Sequence, residues 1–375
     1  MALSKVDLAN QVENILPETL GGTGASQFPA QFRNIIINGD MSIAQRGTST
    51  SGVTTTDGYY ACDRFYTRTD TGTWTISQST DVPTGQGFAN SFKLDCTSAG
   101  TSNADEVIIR YNSEGQFLQY LKYGTSNAES LTCSFWIKSN KTGAYSLNIN
   151  NNNTSQIRLI SFAYNIDSAD TWEKKIITLP GDTVRSINNS NTQDFQAQWI
   201  FGAASSFTSG GVSNTWIDYA ANRSAPSDLA GLGGSTSDYV NITGVQLEAG
   251  TTASDFEFLP VDVNLGRCQR YYQVFVEGNG NYFMNGHYYY STNVRGVARF
   301  FKPMRASATL DMVTGTDYYK IFRDSGNDLI NSFTAIANNQ SSILYNSTEA
   351  SGTAGQAGDF ITNNASAFIA FDAEL

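Results

Sequence analysis

One stretch of the chain concentrates side chains suited to holding a polar ligand. Residues Asn279 to Asn293 read Asn-Gly-Asn-Tyr-Phe-Met-Asn-Gly-His-Tyr-Tyr-Tyr-Ser-Thr-Asn, which sets Tyr282, Asn285, His287, Tyr288, Tyr289 and Tyr290 beside amide and glycine turns. Exposed aromatic faces can stack on the apolar faces of sugar rings, while amide and imidazole groups bond their hydroxyls. Strand alternation buries every second side chain, so roughly two or three exposed tyrosines are expected here. The same run equally describes a β-hairpin with ordinary aromatic core residues. Trp74, Trp136, Trp172, Trp199 and Trp216 suit core positions better than contact positions.

Catalytic constellations find little support. His287 is the only histidine, so a Ser-His-Asp triad would have to use it, and no GxSxG segment supplies a nucleophile elbow. Zinc sites with several histidines are excluded by count. Phosphate loops and dinucleotide fingerprints are lacking, and no internal repeat of the parallel β-helix kind is found. A glycosidase needs only two carboxylates, and 34 Asp plus Glu leave that chemistry open. The reading is a non-enzyme without a cofactor. Cys62, Cys96, Cys133 and Cys268 form no CxxC pair. No apolar signal segment follows Met1, so they are expected to be free thiols, mostly buried, in a protein assembled in a reducing cytosol.

The elements that must position these residues are strands. Charged residues are 15% of the 375-residue chain, against roughly 25% in ordinary globular proteins. Aromatics reach 12%, too many for a disordered chain. The net charge of −11 leaves no electrostatic footprint for nucleic acid, and no apolar run is long enough for membrane insertion. After Arg323 no Lys or Arg occurs, while Asp324, Asp328, Glu349, Asp359, Asp372 and Glu374 remain. Such an acidic end is easier to reconcile with a neutral polar partner than with an anionic one. It serves as well as a surface that resists self-association.

Leu8, Val12, Ile15 and Leu16 share one face of a helix over 4–16, begun by Ser4 and Asp7 and stopped by Pro17. So short a helix needs a partner for its apolar face, which makes residues 1–33 a candidate anchoring or oligomerisation segment. From about 31 to 265 short strands alternate with Gly, Asn, Asp and Ser clusters. Asn34–Asn38 is a β-branched run expected as a buried strand. Leu131, Cys133, Phe135 and Ile137 alternate on one face of another. Asn38-Gly39-Asp40 reads as a tight turn in which Gly39 supplies the backbone freedom. Asp63 and Arg64 are placed to pin a strand end. The expected architecture is all-β: a jelly-roll sandwich over 34–265 and a second, smaller sandwich over 266–375, with the boundary at Pro260 or Gly266.

Several segments also carry a resemblance. Leu16-Pro-Glu-Thr-Leu-Gly-Gly-Thr-Gly24 resembles the LPxxxGGTG segment of phage tail-fibre shafts. Asn34 to Gly47 with Gly58 to Phe65, Ser134 to Gly143, Asp170 to Asp182, and Ile242 to Gly250 continuing to Cys268-Gln-Arg-Tyr-Tyr272 together resemble a phage tail-fibre and receptor-binding family built on a carbohydrate-binding-module jelly roll. The likeness covers residues 34–272. It implies a homotrimeric virion appendage, assembled in the host cytoplasm, that attaches to other virion structural proteins through its N-terminus. Such an appendage would bind a host cell-surface glycan by multivalency. Related jelly rolls commonly hold a structural calcium, but the aligned positions here are Ser42 and Gly244, which offer no carboxylate. Asp40 and Glu248 lie close by as substitutes. The competing expectation is a head-fibre or decoration protein with the same folds and no glycan ligand.

Overall fold

The computed structural model describes residues 32–55, 57–100, 106–152, 156–324 and 326–375. Its first half contains β1 (Ser49–Val53), β2 (Gly58–Tyr59), β3 (Phe65–Thr69), β4 (Thr73–Ser79), β5 (Ser91–Ser98), β6 (Glu106–Glu114), β7 (Leu131–Ser139), β8 (Gly143–Asn151), β9 (Arg158–Ile166), β10 (Glu173–Leu179), β11 (Gln193–Ala203), β12 (Ile217–Asp218) and β13 (Tyr239–Ala249). They form a six-stranded sheet in the order β1-β4-β5-β13-β7-β10 and a seven-stranded sheet in the order β12-β9-β8-β11-β6-β3-β2. This is a jelly-roll sandwich, and alternation explains its core. Leu131, Cys133, Phe135 and Ile137 of β7 are fully buried, as are Trp199 of β11 and Ile109 of β6 from the other sheet. Burying each such side chain stabilises the fold by about 1.5–3 kcal/mol. All four cysteines are free and buried.

The segment Asn34–Asn38 departs from expectation. It is buried, with Ile36 and Ile37 in the core, but it is an irregular turn and not a strand. Asn38 and Met41 take positive φ of 63° and 59°, which a ladder cannot accommodate. Side-chain amides replace the missing strand pairing. Asn34 Oδ1 accepts from the N–H groups of Ile36 and Leu247, and its Nδ2 donates to the Val245 carbonyl at 3.0 Å. Asn38 Nδ2 donates to the carbonyls of Ile43 and Asp63. Gly39 is required by proximity, because a Cβ there would sit 2.0 Å from the Val245 carbonyl oxygen. The bulge in β13 between Thr243 and Gln246 receives this turn.

A helix at Val261–Cys268 leads into the second half. There follow β14 (Tyr272–Glu277), β15 (Tyr282–Tyr290), β16 (Asn293–Arg299), β17 (Thr309–Val313), β18 (Tyr319–Arg323), β19 (Gly326–Ile330), β20 (Thr334–Ala337), β21 (Ser341–Asn346), β22 (Ala357–Thr362) and β23 (Phe368–Asp372). They make a three-stranded sheet, β14-β23-β17, and a seven-stranded sheet, β19-β18-β22-β15-β16-β21-β20. A second core fills the space between them, with Tyr288, Tyr319, Phe333, Phe360 and Phe371. Gly286 of β15 lies between Gly296 of β16 and Gly358 of β22. A Cβ on Gly286 would come 2.2 Å from the Phe360 ring, so the absent side chain makes room for that aromatic.

Charged side chains tie the chain's last residues to the first sandwich. Arg64, fully buried, pairs with Glu374, donates to the Asn112 carbonyl at 2.6 Å, and lies 3.4 Å over the Tyr271 ring. Arg46 reaches Asp372 at 2.9 Å and stacks 3.6 Å over Tyr272. Arg270 grips Glu114 with two 2.7 Å bonds, and the Tyr271 hydroxyl donates to the same carboxylate. Burial pushes the Glu114 carboxyl up, but the bonds from Arg270 and Tyr271 outweigh it and hold it below the usual carboxylate range. Arg64 thus joins the C-terminal end to the turn that leads into β3, a longer reach than the pinning read from sequence.

Candidate functional site: a groove on the distal sheet

The hairpin β15–β16 builds an open cavity lined in part by polar side chains. Its register sets His287 opposite Arg295, and β16 in turn sets Arg295 opposite Tyr345 and Val297 opposite Ile343. Residues that face each other across a ladder share a face, so these side chains stand together on the side away from the core. Of these, His287, Arg295, Val297 and Ile343 line a groove of about 720 Å³, together with Asn285, Arg299, Phe275, Phe283 and Phe301. Phe275 meets Phe283 edge-on at 6.2 Å and Phe301 at 6.3 Å, giving an aromatic wall. Phe301 remains 59% exposed. Tyr289 stands beside the groove, with Arg295 stacked 3.3 Å over its ring and His287 at 6.5 Å. Among the described residues the lining holds no carboxylate, hydroxyl or thiol, so it offers no carboxylate pair of the kind a glycosidase uses.

Of the residues singled out in the sequence, Asn285 and His287 line the groove and Tyr289 adjoins it. Tyr282 and Tyr290 are 69% and 61% exposed but lie outside the lining. Tyr288 needs correction as a contact residue. It is fully buried; its hydroxyl donates to Asp328 at 2.5 Å and accepts from Arg323 at 2.8 Å. Burial and the Asp328 hydrogen bond push it up to about 12. A register shift between Tyr288 and Tyr290 leaves both Tyr289 and Tyr290 outside, so the three tyrosines do not alternate. Arg295 and Arg299 were missed. Their spacing of four places them on one strand face, a readable signal, but their nearness to His287 depends on the hairpin.

The jelly roll carries a different polar surface. Across β6, β11 and β8 the register aligns Asn112, Gln196 and Asn150, then Arg110, Gln198 and Asn148, on the side opposite the core residues. Gln196 is the hub: its Nε2 donates to Asn112 Oδ1, and its Oε1 accepts from Asn150 and Gln198. Asn112 Nδ2 donates onward to the Leu375 carbonyl. Ser161 and Ser146 donate to the carbonyls of Arg223 and Ser224. Chain thus lies along both margins of this face. Its amides are each less than a tenth exposed and are withheld from a ligand the size of a sugar.

Asp40 and Glu248 do not make a calcium site. Asp40 Oδ1 accepts from Ser42 and Asn264, while Glu248 accepts from Ser254 and Gln246 and pairs with Arg33 at 3.7 Å. Calcium requires convergent oxygens, and here the carboxylates face N–H and O–H donors and a guanidinium. Leu8, Val12, Ile15 and Leu16 lie outside the described residues.

No family model matches the chain, and no curated protein does. Among solved structures it is similar to an enzymatically active domain of tailspike protein 4 from bacteriophage CBA120, at 14% identity and TM-score 0.32, over 58% of this chain and 21% of that one. The alignment therefore spans about a fifth of that tailspike chain. It is similar also to a putative sugar-binding protein from Bacteroides thetaiotaomicron, at 12% identity and TM-score 0.31, over 58% and 99% of the two chains. A family 11 carbohydrate-binding module from Clostridium thermocellum, in complex with a mixed-linked tetrasaccharide, aligns at 10% identity and TM-score 0.25, over 55% and 98%. At such scores these likenesses place no site residue on this chain.

Proposed function

We propose that the protein is a bacteriophage fibre protein that recognises a host cell-surface glycan, with its binding site in the distal groove. One observation carries the reading: an open groove in which an aromatic wall faces Asn285, His287 and Arg295. A sugar ring stacks through dispersion and hydrophobic contact, and the amide, imidazole and guanidinium donors read its hydroxyls. A groove this open gives weak binding per site, and assembly as a homotrimer would multiply it. In this reading residues 1–33 attach to other virion proteins, 34–265 form the carbohydrate-module-like body, and 266–375 present the groove. No catalytic step is assigned.

The test is a glycan array and a whole-cell binding assay on the assembled full-length protein and a His287→Ala/Tyr289→Ala variant. Binding to host cells that falls tenfold or more in the variant supports the reading. An assembled protein that binds no cell and no glycan overturns it in favour of a decorating or head-fibre role. One observation already favours that second reading: Val297, Phe322, Leu329 and Ile336 of the distal sheet are exposed apolar side chains that a neighbouring virion protein would cover.

A further inference from the structure

We infer that the distal groove is built for an acidic glycan, a chain of carboxylate-bearing sugars running along β16. This rests on the glycan-binding reading and reverses the neutral partner expected from the chain's overall charge. The lining contains Arg295, Arg299 and His287 and no Asp or Glu. Among the described residues, neither arginine makes an ion pair, whereas Arg270 and Arg323 of the same half do. The carboxylate on the neighbouring strand, Asp359, is engaged by Asn285 at 2.5 Å and lies outside the lining. Two arginines without ion-pair partners thus line one groove in a protein of net charge −11.

Geometry points to the form of the ligand. The Arg295 guanidinium carbon lies 3.3 Å over the Tyr289 ring, a contact that orders the guanidinium before any ligand arrives and leaves N–H donors for a carboxylate. Arg299 follows four residues later on the same face, about 13 Å along the strand at roughly 3.3 Å per residue. Two cations at that spacing suit a repeated anion better than a single one. The aromatic wall of Phe275 and Phe301 supplies stacking faces for sugar rings, which a flexible chain of glycerol phosphates has no rings to use. Net repulsion from the rest of the protein does not forbid this. Charges beyond about 8 Å are largely screened at physiological ionic strength, so the nearest groups decide.

The experiment is calorimetric titration of the full-length assembled protein with tetragalacturonate, its methyl ester, sialyllactose, lactose, and a glycerol-phosphate oligomer. At least one acidic sugar is expected to bind tenfold or more tightly than its neutral counterpart. That binding should weaken as salt rises, and weaken tenfold in Arg295→Gln or Arg299→Gln, with circular dichroism confirming that both variants fold. Equal binding of acidic and neutral partners, or indifference to both arginines, overturns the inference. Binding of the phosphate oligomer alone overturns the carboxylate assignment. If no acidic sugar binds, the inference fails; host-cell binding by the same preparation then shows whether the glycan-binding reading survives it.

Discussion

The two seven-stranded sheets present opposite outer faces. The jelly-roll sheet carries a row of amides, Asn112, Gln196, Gln198, Asn148 and Asn150, yet these are buried. The distal sheet carries Val297, Phe322, Leu329 and Ile336, yet these are exposed. Residue type alone would assign the faces the other way round. What differs is the neighbouring chain. Asn112 reaches the C-terminal Leu375, and Ser146 and Ser161 reach the carbonyls of Ser224 and Arg223. Around Gln196 the buried amides of Asn112, Asn150 and Gln198 are held by bonds to one another. The distal face has no such cover among the described residues and keeps its groove.

If the first face is held by its attachment to the C-terminus, breaking that attachment should have the largest effect. Arg64→Ala would leave the buried Glu374 carboxylate without its main partner, with Arg46 remaining at 3.4 Å, at a cost of about 3–5 kcal/mol, read as a lowered midpoint in urea unfolding. Retained wild-type stability would show that the C-terminal contact is incidental. Next comes the amide hub. Gln196→Leu deprives Asn112 Oδ1 of its donor and Asn150 and Gln198 of their acceptor. It should cost about 1–3 kcal/mol, measured the same way.

A smaller, pH-dependent effect sharpens the same contrast. The folded protein holds the Glu114 carboxyl below its ordinary value of 4.5, so its stabilisation is present above that value and is lost as pH falls through the lower, folded one. Burial pushes Asp63 up instead, which works in the opposite sense. Stability should therefore fall below about pH 4.5 in wild type, and Glu114→Gln should show a shallower acid limb in thermal melts across pH 3–6. The smallest effect belongs to the open face. Ile336→Ser and Arg299→Gln should each change stability by no more than about 0.5 kcal/mol, although the second should weaken acidic-glycan binding. A large loss in Ile336→Ser would mean that this face is covered in the assembled protein.

Much of the fold was legible because alternation is a local property. Leu131, Cys133, Phe135 and Ile137 announce a strand with one buried face wherever that strand lies, and β7 is such a strand. Asn34–Asn38 misled because three successive isoleucines carry β propensity, while the turn, with Asn38 at positive φ, is held by contacts of Asn34 with the distant Val245 and Leu247 and of Asn38 with Asp63 and Asn264. The candidate site divides in the same way. The aromatic and amide content of Tyr282–Tyr290 was visible in sequence. Which of those residues is offered outward was not, since a register shift turns Tyr288 inward to Asp328 and leaves Tyr289 and Tyr290 outside.

By itself the sequence determined the all-β character, the strand faces and the stock of groups able to hold a sugar, all of which depend on neighbours within a few residues. Only the tertiary structure decided that His287 meets Arg295 across a hairpin, that Phe275 and Phe301 wall the same groove, and that the amide row of the jelly roll is closed over. The physical reason is that accessibility and local charge belong to surfaces assembled from distant strands. A net charge of −11 says nothing about a groove whose nearest charges are two arginines.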